Sequence, residues 1–197
     1  MATMTHGAPL YGVTALVDQE QFQDLVQRSH SLIDKILLSI PDVHTSSIHL
    51  KMWQLKSSEN TNMMIMASTL GIPQAPVLRV VSENCTLETS LSQMSEGLQL
   101  YQELLNAVLP NLNNNEKMTE LSIDIRDLGM HVNMMLKLIQ NGTLPTPVHK
   151  PVALRLSTDY DIQVAAHLIL DQLEAFGQDV KRCLRSMESS DEEELNS

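Results

Sequence analysis

The sequence is poor in aromatic residues and in the residues that break helices. Aromatic side chains make up 3% of its 197 residues, and it contains only 7 glycines and 8 prolines. The few glycines and prolines fall between segments of periodic hydrophobicity, which is typical of a helical protein. Because hydrophobic residues still amount to 43% and include 12 methionines, we expect one domain with a core built mainly from aliphatic and thioether side chains.

Positive charge and long apolar runs are also scarce. The formal net charge of −11 argues against nucleic acid or an anionic membrane surface as a partner, since both would repel such a protein. No apolar run approaches the roughly 18 to 20 residues that span a bilayer, so membrane insertion is not expected. Residues 1–17 form an N-terminal segment without the apolar stretch of a complete signal peptide. A cytosolic protein and a secreted protein with a removed or truncated signal both remain open.

The familiar catalytic motifs are missing as well. The chain contains no Walker-type glycine-rich loop, no GxSxG, no HExxH and no CxxC, so we expect neither an enzyme nor a bound cofactor or metal. His44 and His49 are interpreted as ordinary histidines of a loop. His167 is expected to pack on the flank of a helix rather than to act as a base.

Apolar residues recur at helical spacing in four long segments, with a long, a short and a long connection between them. The predicted helices cover approximately 18–40, 84–109, 116–140 and 158–187, with Pro41 ending the first. A short loop joins antiparallel neighbours, whereas a long one can run back along the bundle. The sequence therefore predicts an all-α fold, a long-chain four-helix bundle with up-up-down-down topology over 18–187. An acidic, disordered tail is predicted for 188–197.

Two features of these helices need interpretation. The first is a set of methionines that we assign to the core as filler: Met94, Met118, Met130, Met134 and Met135. The second is a pair of acids, Asp124 and Asp127, three residues apart on one face of the third long helix. Spacing alone leaves a solvated helix flank and a binding site both open for this pair.

Two motifs carry a resemblance to a known family. Residues 68–76 read STLGIPQAP and residues 91–105 read LSQMSEGLQLYQELL. With the patches at 118–127 and 164–168, they resemble the granulocyte colony-stimulating factor family of interleukin-six-type long-chain helical cytokines. We expect a fish or other non-mammalian member of it.

The resemblance implies a secreted haematopoietic cytokine and growth factor without enzymatic activity. Such a protein binds and joins class I cytokine receptor chains, here chains like the granulocyte colony-stimulating factor receptor. Janus kinase–STAT signalling then drives proliferation and differentiation of the granulocyte lineage. An alternative of a different class is an amphipathic helical bundle that carries lipid or another apolar ligand, and it would need a sizeable internal pocket.

The family's principal receptor site lies on the exposed faces of the first and third long helices. By resemblance its two carboxylates fall on Asp124 and Asp127. The polar face of the first helix adds a set of candidate receptor-binding residues: Asp24, Gln27, Arg28, Ser31 and Lys35. The family's second receptor contact implies the neighbourhoods of 59–65, including Glu59, and of 155–160. We further expect the turn at 71–76 to set the first helix against the third.

The cysteines depart from the family pattern, and two glycosylation sequons are also present. The family's disulfide in the first long connection would fall at Val80 and Ser90, neither of which is a cysteine. In the predicted topology the second long helix starts at the end where the last one finishes, so Cys85 and Cys183 could form a disulfide instead. Asn84 and Asn141 begin glycosylation sequons, which would suit a secreted glycoprotein.

Overall fold

The computed structural model describes residues 19–49, 60–82, 85–140 and 151–188. The predicted N-terminal segment and most of the predicted acidic tail lie outside these ranges. The described residues form five α-helices: α1 Glu20–Ser47, α2 Asn60–Leu70, α3 Leu87–Val108, α4 Glu116–Ile139 and α5 Asp159–Arg185. A single 3₁₀ turn follows α3. The four predicted long helices correspond to α1, α3, α4 and α5, and the all-α fold is confirmed.

Contacts between the helix ends give their directions. Gln23, near the start of α1, donates a hydrogen bond to the carbonyl oxygen of Met187 just beyond α5, at 3.0 Å. Asp42, towards the end of α1, pairs with Lys117 at the start of α4. Helix α1 is therefore antiparallel to both α4 and α5. The short connection 112–115 makes α3 antiparallel to α4, so α1 runs parallel to α3, and the up-up-down-down topology is confirmed.

Capping residues mark where two of the long helices begin. At the start of α5, the hydroxyl of Thr158 accepts a hydrogen bond from the backbone N–H of Asp161 at 3.1 Å, and the Asp161 carboxylate accepts one from the backbone N–H of Thr158 at 3.0 Å. This reciprocal capping box satisfies two backbone donors that the first turn would leave without partners. At the start of α3, Thr86 accepts a hydrogen bond from the backbone N–H of Thr89 at 3.1 Å. Both helices thus begin where their sequences supply a capping hydroxyl.

The core lies between the four long helices and is mainly aliphatic, as predicted. Three of the five methionines assigned to it, Met94, Met118 and Met135, are fully buried. The assignment is wrong for Met130 and Met134, which are 48% and 52% exposed. The core face of α4 is occupied by another helical stripe, and residues 130 and 134 fall on the opposite side of the helix. That stripe consists of Met118, Leu121, Ile125, Leu128, Val132 and Met135.

The prediction that Pro41 ends the first helix is also wrong. Helix α1 continues through Pro41 to Ser47. A proline inside a helix costs about 3 kcal/mol because it removes one hydrogen bond and crowds the preceding turn. Tertiary contacts stabilise the extension, since His44 is buried against His167 and the Ser47 hydroxyl donates to the carbonyl oxygen of Asn114 at 3.0 Å.

The glycine turn after α2 packs against the segment that precedes α5. Gly71 has a φ of +79°, and a Cβ there would lie 2.7 Å from the carbonyl oxygen of Ala153. The backbone N–H of Arg155 donates to the carbonyl oxygen of Leu70 at 2.9 Å. The turn therefore joins the two long connections, and the expectation that it sets the first helix against the third stays a prediction.

A second glycine lies at the closest approach of α3 to α5. A Cβ on Gly97 would lie 2.2 Å from the Phe176 ring, well inside van der Waals contact. The same ring packs against Tyr101, with 5.2 Å between the ring centroids. The contact between α3 and α5 is therefore an apolar one that only glycine at position 97 permits.

Candidate functional site

Lys35 joins α1 to α4 through an ion pair. Its ammonium group donates a hydrogen bond to the Asp124 carboxylate at 2.7 Å. This hydrogen bond, together with the negative charges of Asp124, Glu120 and Asp127, raises the pKa of Lys35 above its ordinary value, although desolvation opposes the shift. One lysine therefore faces three carboxylates of α4.

The register of the two helices places the first-helix candidates beside the second half of α4. Asp42 on α1 pairs with Lys117 on α4 at 3.6 Å. Asp42 lies seven residues after Lys35, and Lys117 lies seven residues before Asp124, the partner of Lys35. Arg28 lies seven residues before Lys35, and His131 lies seven residues after Asp124. Because the two antiparallel helices rise equally per residue, Arg28 lies level with His131. The candidates on α1 therefore lie alongside residues 124–135 of α4. They are Asp24, Gln27, Arg28, Ser31 and Lys35.

All five of these α1 residues are exposed, and their side chains bond mainly within the helix. The Arg28 guanidinium pairs with Asp24 at 2.9 Å, and the Ser31 hydroxyl donates to the carbonyl oxygen of Gln27 at 3.1 Å. Exposed pairs of this kind contribute roughly 0–1 kcal/mol to stability. A partner could therefore displace them at little cost.

The two predicted carboxylates on α4 differ in their environment. The Asp124 side chain is only 12% exposed and is held by Lys35. The Asp127 side chain is 37% exposed and accepts hydrogen bonds from the guanidinium of its neighbour Arg126 at 2.8 and 3.0 Å. The Asp127 carboxylate is therefore more accessible to a partner, whereas the Asp124 carboxylate is paired with Lys35.

The surface formed by these residues of α1 and α4, called here the α1–α4 surface, carries an excess of negative charge at its centre. The carboxylates of Glu120, Asp124 and Asp127 lie near Lys35, and the Arg126 guanidinium pairs with one of them, Asp127. A cationic side chain on a partner could form charge-assisted hydrogen bonds with these carboxylates, and an arginine could do so through two parallel bonds. The arrangement suits recognition of a basic protein surface.

The sequence interpretation missed exposed apolar residues on this same surface. Leu38 on α1 is 80% exposed, and Ile123 on α4 is 42% exposed. Met130 and Met134 lie on the same side of α4 as Ile123. The sequence did contain the information for the residues on α4. A strict helical period places Ile123, Met130 and Met134 opposite the core stripe of that helix.

Several predicted site residues lie away from the α1–α4 surface or outside the described residues. Glu59, Asn84 and Asn141 lie outside the described residues, so their predicted roles stay predictions. Cys85 and Cys183 are both buried and are free thiols, so the predicted disulfide is not formed in the structure. Burial raises the pKa of the Cys183 thiol, and the negative field of the nearby Cys85 adds to this shift.

The histidines form a buried pair rather than a site in a loop. His44 Nε2 and His167 Nδ1 lie 2.9 Å apart across α1 and α5, so the interpretation of His44 as a loop residue is wrong. Burial lowers the pKa of both rings, and that of His167 falls to about 4 with a further contribution from His44. Within the described ranges, no three His, Cys, Asp or Glu side chains are grouped so that they could hold a metal ion.

Two concavities on the described part of the surface both open to solvent. The larger, about 390 Å³, lies between α2, the turn 71–74 and Gln172 of α5. The smaller, about 190 Å³, lies between α3 and α4 and includes Ile123 and Arg126. Neither is the enclosed apolar cavity that a lipid-carrying bundle would need. Among the described residues, no helix combines the length and hydrophobicity needed to cross a bilayer.

Comparison with known proteins agrees with the resemblance of the motifs. The chain is 30% identical over 127 residues to granulocyte colony-stimulating factor from Bos taurus, and the match covers 62% of this chain and 63% of that protein. The matched region thus spans less than two thirds of the relative's length. No family model matches the sequence. The similarity supports a helical cytokine and growth factor of the granulocyte colony-stimulating factor type.

Proposed function

We propose that this protein is a secreted haematopoietic cytokine that binds class I cytokine receptor chains through the α1–α4 surface. It joins two receptor chains like the granulocyte colony-stimulating factor receptor, and their Janus kinases then activate STAT proteins in cells of the granulocyte lineage. The protein itself performs no catalysis. The similarity to bovine granulocyte colony-stimulating factor supports the signalling class.

One structural observation carries the assignment of the surface. The Lys35–Asp124 ion pair brings the exposed candidates of α1 next to Asp127 of α4, although these residues are far apart in the sequence. A polar and largely preformed surface with an acidic centre is what a receptor with basic contact residues would bind. Because the underlying helices are rigid, binding needs little rearrangement of the backbone.

Joining two receptor chains requires a second surface, and we place it at α2 and the start of α5. These two helices are in contact. Met64 and Ile65 on α2 are 60% and 61% exposed, and Tyr160 at the start of α5 is 53% exposed. Exposed apolar residues of this size suit contact with a second receptor chain.

Calorimetric titration of the purified cognate receptor ectodomain tests the proposal. We expect wild-type protein to bind, and Asp127→Ala to bind at least about tenfold more weakly, because the partner's cation loses its carboxylate. Asp124→Ala should also weaken binding, because it releases Lys35. Glu96→Ala removes an equal charge from the exposed side of α3 and serves as the matched control. Wild-type protein that binds no ectodomain would refute the function. If both aspartate variants bind with the affinity of the wild type, the assigned site is refuted.

Glycosylation accompanies this proposal as a prediction. Glycans on Asn84 and Asn141 would be detected by a change in mass on enzymatic deglycosylation. Protein from a secreting host whose mass does not change under this treatment would contradict the prediction.

A further inference from the structure

The end of α2 is closed by a C-terminal capping motif with Gly71 at its centre. The backbone N–H of Gly71 donates to the carbonyl oxygen of Ser68 at 3.2 Å, and that of Ile72 donates to the carbonyl oxygen of Ala67 at 2.9 Å. This pair of bonds requires a residue in the left-handed region directly after the helix, and Gly71 has a φ of +79°. Hydrogen bonds local to α2 therefore fix the path of the chain as it leaves that helix.

The segment before α5 supplies partners that the end of α2 lacks. The last carbonyl groups of a helix find no donor within the helix. The backbone N–H of Arg155 donates to the carbonyl oxygen of Leu70 at 2.9 Å, and the Arg155 guanidinium donates to that of Thr69 at 3.5 Å. The last turn of α2 contains no basic residue of its own, and a positive charge is favourable at a helix C-terminus. Arg155 provides this charge from a distant part of the chain.

The close approach of the two connections is a second reason for glycine at position 71. A Cβ there would lie 2.7 Å from the carbonyl oxygen of Ala153, a backbone atom that cannot rotate away as the end of a side chain could. A larger residue must therefore push the two connections apart. We call the contacts of Thr69, Leu70 and Gly71 with Ala153 and Arg155 the Gly71 junction.

The Gly71 junction continues directly into the start of α5. Two residues after Arg155, the backbone N–H of Ser157 donates to the Asp161 carboxylate at 3.2 Å. The backbone N–H of Thr158 donates to the same carboxylate at 3.0 Å. These bonds fix the chain between the junction and the first turn of α5. The end of α2 and the start of α5 are therefore held in one relative position.

We infer that Gly71 is a positioning residue for the second receptor contact. The inference rests on the proposed function, which places that contact at α2 and the start of α5. The Gly71 junction holds these two elements in the arrangement that the second receptor chain binds, and a preassembled arrangement lowers the cost of binding. The junction contains no residue of α1 or α4, so binding of the first receptor chain to the α1–α4 surface does not depend on it.

The test replaces Gly71 with alanine and separates binding of one receptor chain from joining of two. In calorimetry with the purified cognate receptor ectodomain, Gly71→Ala should bind the first chain with an affinity within about twofold of the wild type. In light scattering, the proportion of complexes that contain two receptor chains should fall at least about tenfold, because the second contact is no longer assembled.

A second variant at the same position guards against a failure of the turn itself. Asparagine adopts positive φ more readily than other residues with a side chain, so Gly71→Asn should keep the capping motif of α2. Its Cβ still meets the carbonyl oxygen of Ala153, so we expect the same loss of joining. The state of the junction is measured by amide hydrogen exchange in NMR. The Arg155 amide should exchange faster in both variants, because its bond to Leu70 opens.

Gly97→Ala is the matched control for a loss of stability alone. It also adds one methyl group at a close contact, but between α3 and α5 and against the Phe176 ring. At a temperature where circular dichroism shows every variant to be folded, Gly97→Ala should join two receptor chains as the wild type does. Its Arg155 amide should exchange at the rate of the wild type.

The outcomes separate this inference from the proposed function. If the wild type joins two chains and the Gly71 variants do so equally well, or keep the exchange rate of Arg155, the inference is wrong and the proposed function stands. An equal loss of joining in Gly97→Ala, or a tenfold loss of affinity for the first chain in the Gly71 variants, would also overturn the inference. If the wild type binds no receptor chain or joins no second one, the proposed function fails, and this inference fails with it.

Discussion

Two contacts of the bundle, α1 with α4 and α3 with α5, are built from different chemistry. The first is bridged at its surface by the ion pairs of Lys35 with Asp124 and of Lys117 with Asp42. The second is apolar and brings Gly97 against the Phe176 ring. Close packing contributes strongly to stability, whereas exposed ion pairs contribute little. The difference suggests that the apolar contact of α3 with α5 serves packing alone, whereas the exposed rim of the α1–α4 contact is left for recognition.

The largest effect is expected from adding one methyl group between α3 and α5. Gly97→Ala places a Cβ 2.2 Å from Phe176, so we expect a loss of about 3 kcal/mol in the free energy of unfolding because the ring must move within a packed core. Gly129→Ala on α4 is the control, since its Cβ would lie 4.0 Å from the nearest side-chain atom. There the added methyl group should be neutral or stabilising by up to about 1 kcal/mol. Urea denaturation measures both, and equal stability of the two variants would break the comparison.

A smaller effect concerns acid and the buried histidine pair. The pKa of His167 is lowered to about 4 in the folded state, so the unfolded chain binds more protons between this value and the ordinary pKa. The pair's contribution to stability is therefore present above pH 6.5 and is lost as the pH falls towards 4, by about 1 to 2 kcal/mol at pH 5. His167→Gln cannot titrate, so its unfolding free energy should change less between pH 7 and 5. An equally steep pH dependence in this variant would contradict the prediction.

The smallest effect on stability is expected at the ion pair between α1 and α4. A double-mutant cycle with Lys35→Met and Asp124→Asn should give a coupling free energy close to zero, because the Lys35 side chain is 65% exposed and solvent screens such a pair. The same two variants should each weaken receptor binding by more than they change stability. Coupling of several kcal/mol with unchanged receptor affinity would reverse the roles that we assign to the two contacts.

Local sequence patterns predicted the helices well and their tertiary context poorly. The four long helices and their order followed from apolar periodicity and loop length, which are local properties. The extension of α1 past Pro41 did not, because His44 finds its partner on α5 and Ser47 finds its partner in the connection between α3 and α4. The role of the Gly71 turn also depended on a contact with Ala153, far along the chain.

The candidate site was predictable as a set of residues but not as an arrangement. The resemblance named Asp124 and Asp127 together, and only the structure separates the carboxylate held by Lys35 from the more exposed one. Composition alone assigned Met130 to the core, since methionine is more often buried than exposed. The helical period of the sequence already places Met130 opposite the core stripe of α4, so its exposure could have been predicted.

The central claim, that the receptor covers the α1–α4 surface, is tested most directly by methionine oxidation. Met130 and Met134 are exposed in the free protein and should react readily with dilute peroxide. With saturating receptor ectodomain and free N-acetylmethionine as an internal standard, peptide mass spectrometry should show their oxidation slowed at least about tenfold, because burial removes access to the sulfur. Equal oxidation rates in the free and the receptor-bound protein would contradict the account.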